Sequence, residues 1–138
     1  MTRIDFYQIE TDEPALNFAC RLVDKAWRQD MRIYVHVENQ GQARAMDELL
    51  WTFRAESLIP HALIEDEEAP VQIGCDEHPG DHHQLMINLS GVVPDFFSRF
   101  ERVAEIVPFE DTRRASARDN YKFYKDRGYP LNYHRMQR

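Results

Sequence analysis

Short β-favouring runs and stretches of helical period take turns along this 138-residue chain. That order of segments restricts the fold more than any single motif does. "RIDFYQI" (Arg3–Ile9) is dominated by β-favouring residues and predicts a first strand. "TDEP" follows, where Thr11 or Asp12 can cap a helix and Pro14 suits its first turn. Leu16, Ala19, Cys20, Val23, Ala26 and Trp27 then recur at three- and four-residue spacing, with Arg21, Asp24, Lys25 and Arg28 on the other side. "RIYVHV" (32–37) reads as a buried strand, with His36 expected to be at least half-buried on a backbone partner. Residues 39–53 read as a second helix with Ala43, Met46, Leu49 and Leu50 inward. "VQIGC" and "QLMINLS" predict two more strands. "PDFFSRF" predicts a short helix, capped by Ser90 or begun by Pro94. "RVAEIVPF" predicts the last strand, stopped by Pro108. A final helix is expected from Asp111, as its cap, to Gly128 and Pro130. The expected class is α/β: one domain over 1–138, with a mostly parallel sheet and helices on both faces.

A domain of this size can bury a sizeable core without disulfides or a metal. Cys20 and Cys75, far apart in sequence, are expected to be free. No apolar run approaches membrane-spanning length, the first residues lack a signal pattern, and a cytoplasmic location is expected.

The glycines argue against nucleotide chemistry. There are five, at 41, 74, 80, 91 and 128, and none cluster. Neither a phosphate loop nor a G-x-G-x-x-G turn is present, so no backbone segment is suited to approach a pyrophosphate. A G-x-S-x-G elbow is also missing. "CDEHPGDHH" offers Cys75, Asp76, Glu77, His78, Asp81, His82 and His83 as zinc ligands for a metal-dependent hydrolase. Its spacing matches no ordinary site, and His-Pro-Gly-Asp reads first as a turn. Glu65 and Glu67 belong to an acidic, solvated loop. No enzyme activity, cofactor or metal is expected.

Charge is unevenly spread. Residues 111–138 hold eight Lys/Arg against three Asp, while residues 1–110 hold nine Lys/Arg against 21 Asp/Glu. An acidic body repels a long polyanion. Within the basic stretch, Arg114, Arg118, Lys122 and Lys125 fall at i, i+4, i+8 and i+11 and form one helical stripe. Tyr121 lies beside it, and Ala115, Ala117 and Tyr124 are available for packing. Like charges four apart repel, and Asp119 and Asp126 relieve this only partly, so an external anion is suggested. A second stretch, "LLWTFRAESLIPHAL" (49–63), carries apolar residues on more faces than one buried helix side can use. It reads either as core at a helix–strand junction or as an apolar contact anchored by Trp51.

"LLWTFRAESLIPH" and "VPFEDTRRASARDNYKFYKDRGYPLN", with "DFYQI" and "AWRQDMRIYV", resemble the chi subunit of bacterial DNA polymerase III holoenzyme over almost the whole chain. The resemblance implies a non-enzymatic clamp-loader accessory protein with a Rossmann-like fold and no nucleotide site. It implies two partners: the psi subunit, and the acidic C-terminal tail of single-stranded-DNA-binding protein, which ends in an aromatic residue with a free carboxylate. Carried over by position, the tail site comprises Val107, Arg114, Arg118, Tyr121, Lys122 and Lys125. Arg118 would clamp the carboxylate, Val107 and Tyr121 would wall the terminal ring, and the other cations would steer the acidic residues. The psi contact maps to Trp51, Leu58 and Ile59, with Pro60 shaping the turn. The chain departs from the family at Leu58, where an aromatic residue is usual, which reduces the apolar contact expected there. A helicase is left open as a second occupant of that surface. The remaining alternative is direct single-stranded nucleic-acid binding by the basic aromatic helix, with Tyr121 and Phe123 stacking on bases. Strong DNA binding is not expected.

Overall fold

The computed structural model describes residues 1–53, 58–76 and 78–137. Among these residues seven strands form one all-parallel sheet: β1 (Arg3–Ile9), β2 (Ile33–His36), β3 (His61–Leu63), β4 (Val71–Gly74), β5 (Leu85–Asn88), β6 (Arg102–Val107) and β7 (Leu131–Met136). Their spatial order is β3-β4-β2-β5-β6-β1-β7. Three helices, α1 (Ala15–Trp27), α2 (Gln40–Thr52) and α3 (Asp111–Asp126), and a 3-10 turn at Phe97–Arg99 connect them.

Helices on both faces explain why β2, β4 and β5 are buried at every position and read as near-continuous apolar runs. Strand alternation then sorts side chains into two cores. Ile9, Val35, Ile73, Ile87 and Ile106 pack with α1 and α2 through Phe18, Val23, Met46 and Leu50. On the opposite face Ile4, Phe6, Met86, Val103 and Val107 pack with Phe97, Phe100 and α3.

The α/β class, the parallel sheet and the two-sided layering agree with the sequence reading. Several local expectations do not hold. β6 is not the last strand, because β7 follows α3 and adds to the outer side of β1. β3 lies inside a stretch read as helix end and turn. α1 starts after Pro14 without a side-chain cap, and Asp24 is buried beside Arg28 rather than solvated. α3 is preceded by Glu110, not capped by Asp111, and Ala115 faces solvent. Gly128 ends α3 at φ 77, a conformation that a side chain would strain. The partner of buried His36 is a side chain, since the Tyr34 hydroxyl lies 2.8 Å from its Nδ1. Burial lowers the His36 pKa to about 4.

Candidate protein-interaction surfaces

α3 is seated by two inward residues, Ala117 and Tyr124. The Tyr124 hydroxyl donates to Glu105 Oε2 at 2.6 Å, and Asn88 Nδ2 donates to both Glu105 oxygens at 3.0 and 3.1 Å. Burial pushes the Glu105 carboxyl up to about 7, although the hydrogen bonds from Tyr124 and Asn88 oppose it. With that face held down, helical geometry turns the cationic stripe outward toward the β1–β7 side of the sheet.

The stripe is only partly free. Arg114 Nη2 donates to Glu10 Oε2 at 2.5 Å, and the guanidinium lies 4.5 Å over the Phe109 ring. Among the described residues, buried Arg114 Nε has no hydrogen-bond partner. Desolvation pushes the Glu10 carboxyl up, but hydrogen bonds from Arg114 and Gln8 outweigh it and hold the group below its usual value. The stripe therefore has more internal acidic partners than the local sequence suggested. Lys122 donates to Asp126 at 2.6 Å on the exposed surface. Among the described residues, Arg118 and Lys125 have no ion-pair partner.

The apolar wall also differs from the expected one. Val107 is 3% exposed and packs in the core, so it cannot face a ligand in this conformation. Tyr121 is half-buried, with its ring 5.5 Å from Phe6 and 5.9 Å from Tyr133. Tyr133 is 41% exposed and stacks on Phe6 at 5.6 Å. The exposed wall is therefore built from α3 and β7 together. Tyr133 and Arg135 had no local signal as site residues. Their strand was not foreseen, and the sequence between Gly128 and the end has no apolar run.

α3 and β7 run antiparallel here. Tyr121 meets Tyr133 near the middle, and Arg114 and Arg135 both act on Glu10 at one end. The stripe from Arg114 to Lys125 spans about 17 Å at helical rise, and Leu131–Met136 spans about 17 Å at the rise of a strand.

The second surface lies at the other edge of the sheet. Trp51, in the last turn of α2, is 58% exposed, and its ring lies 4.3 Å from that of His61 in edge strand β3. His61 is buried, with its ring nitrogens 2.6 Å from the Ile59 carbonyl oxygen and 2.9 Å from the Asp47 carbonyl oxygen. These contacts fix the chain entering β3. Leu58 is 82% exposed and Pro60 is exposed, whereas Ile59 is 2% exposed and belongs to the core. Residues 54–57 of the quoted motif lie outside the described residues.

The histidine-containing loop does not converge. His82 is buried, with Nε2 2.8 Å from the Ala69 carbonyl oxygen, while His83 approaches Glu101 at 3.4 Å. Among the described residues no group of three His, Cys, Asp or Glu side chains is placed to hold a metal ion. Glu77 lies outside them. At the carboxyl ends of β2 and β4, where parallel sheets commonly hold ligands, a cleft of about 540 Å3 is lined by His36, Cys75, Asp76, His78, Asp95 and Phe96, among others. Among the described residues its lining includes no Lys, Arg or Gly to cradle a phosphate. Among the described residues, no helix is long and apolar enough to cross a membrane.

These features define a Rossmann-like, all-parallel α/β domain without a nucleotide-binding glycine loop. The fold also resembles that of T4 UvsW, with a TM-score of 0.69 at 8% identity over 99% of this chain and 42% of that one. The sequence is matched over residues 1–132 by the family described as "DNA polymerase III chi subunit, HolC". It is 49% identical to DNA polymerase III subunit chi of Pseudomonas aeruginosa, over 100% of this chain and 99% of that protein. It is 30% identical to the subunit of that name from Escherichia coli, over 96% and 97%. The chain belongs to the DNA polymerase III chi subunit family.

Proposed function

We propose that this chain is a non-catalytic accessory subunit of the clamp loader that joins two protein partners. One is the psi subunit, received at Trp51 and Leu58, with Ile59 and Pro60 setting the chain path. The other is the acidic C-terminal tail of single-stranded-DNA-binding protein, received along α3. Its setting would be cytoplasmic.

The observation that carries this reading is Arg118. It stands without an ion-pair partner among the described residues, beside an aromatic wall, on the basic segment of an otherwise acidic protein. A free guanidinium can receive a terminal carboxylate bidentately. The adjacent Tyr121 and Tyr133 rings suit an aromatic side chain. Lys122 and Lys125 add positive charge for acidic residues, while Val107 supports the wall from beneath. The alternative of direct nucleic-acid stacking is less favoured, because Tyr121 is half-buried against Phe6 and Phe123 is half-buried with Arg127 3.6 Å over its ring.

Calorimetric titration with a synthetic acidic peptide ending in Phe tests the tail site. Arg118→Ala should weaken binding by at least about 1.5 kcal/mol, as expected for a charge-assisted contact. Equal affinity of the variant and the parent protein would refute the assignment.

A further inference from the structure

Among the described residues, β7 is an edge strand with one neighbour, and its hydrogen-bonding pattern shows which backbone groups are turned outward. The Ile4 N–H donates to the Pro130 carbonyl and the Glu10 N–H to the Met136 carbonyl, both at 2.9 Å. With the register Ile4↔Leu131 to Ile9↔Met136, the even-numbered residues of β7 turn their backbone groups toward β1. In a parallel ladder the alternate residues turn theirs the other way. Leu131, Tyr133 and Arg135 therefore present N–H and C=O groups to the open side.

An open edge is a template for an added strand. The chemistry around this one selects the occupant. Tyr133 touches the α3 wall, Arg135 acts on Glu10, and the exposed cations of α3 run beside the strand over about the same length. A second copy of β7 would set Arg135 and His134 against their own kind, which disfavours edge-to-edge pairing. An acidic chain instead meets complementary charge.

We propose that the open edge of β7 takes up an extended acidic peptide as an eighth strand of the sheet. This rests on the tail-binding reading of α3 and deepens it. The terminal carboxylate and aromatic ring sit at Arg118, Tyr121 and Tyr133, and the residues before them pair with the backbone of β7.

Amide hydrogen exchange on the isotope-labelled full-length chain, with and without the acidic Phe-terminated peptide, tests the proposal. The amides of Leu131, Tyr133 and Arg135 should slow by about tenfold or more, as added backbone hydrogen bonds require. Those of Asn132, His134 and Met136, already directed at β1, should change little. N-methylation of alternate upstream amides in the peptide should weaken binding in one register and not in the other. Unchanged exchange at all three outward amides, with peptide-dependent shifts at Arg118 and Tyr121, overturns strand addition and leaves the α3 site standing. Absence of shifts at both places overturns both.

Discussion

Arg114 and Glu10, 104 residues apart in sequence, meet at 2.5 Å where the start of α3 passes the end of β1. The pair takes one cation of the stripe out of service and puts a carboxylate beside the path of any acidic ligand. Glu10→Gln should release the guanidinium and remove that repulsion. Affinity for the acidic Phe-terminated peptide should rise about threefold at low salt and by less at high salt. Calorimetry at two ionic strengths checks this, and weaker binding by the variant would show that Glu10 assists the ligand instead.

Trp51 and Arg118 lie toward opposite edges of the sheet. The outer strands β3 and β7 are six inter-strand steps apart, about 29 Å at ordinary spacing. Trp51→Ala should therefore remove binding to psi, at a cost of about 2 kcal/mol or more, and leave tail-peptide affinity unchanged. In the Trp51→Ala/Arg118→Ala double variant each partner's affinity should match that of the corresponding single variant to within about 0.5 kcal/mol. A larger discrepancy in matched titrations would mean that the two edges communicate.

Burial of Glu105 predicts a pH dependence of stability. Its folded pKa is raised from 4.5 to about 7 by burial, opposed by Tyr124 and Asn88. The folded state thus keeps a proton that the unfolded chain releases. The stabilising contribution is full below about 4.5 and is lost as pH rises through about 7. Relative to the parent protein, Glu105→Gln should gain stability between pH 4.5 and 8, by on the order of 3 kcal/mol. Urea midpoints at a series of pH values read this difference directly. A pH-independent difference would mean that Glu105 does not titrate in that window.

Tyr124→Phe removes the shortest hydrogen bond in the same buried group and leaves a Glu105 oxygen one donor short. The expected loss is about 1–3 kcal/mol of unfolding free energy. The edge of β7 should also protect less well from hydrogen exchange, because α3 is less firmly seated against Phe6 and Phe97. A urea midpoint within error of the parent protein would contradict this role for the Tyr124 hydroxyl.

The parts of the fold legible in the sequence are those coded locally. α1 announces itself through Ala19, Val23 and Ala26 on one face, and the stripe from Arg114 to Lys125 is a matter of spacing alone. β7 escaped because an edge strand buries little. Asn132, Tyr133, His134 and Arg135 are all exposed, so no apolar run marks them. β3 is only three residues long and follows a proline. The family resemblance, carried over by position, puts Val107 in the ligand wall. Strand alternation turns it beneath the helix, where Phe6 and Met86 also lie. The Glu10–Arg114 pair is set by tertiary contact, which no local window contains.

The position of two surfaces on the outermost strands gives the sheet a direction of mechanical weakness. A pull between partners held at β3 and β7 would run across the strands, along the inter-strand hydrogen bonds. Such a load opens a ladder bond by bond instead of shearing all its bonds together. β3, paired with β4 at three positions against six between β7 and β1, would be the first strand to peel away. A tether built on that edge would yield before the central strands were disturbed.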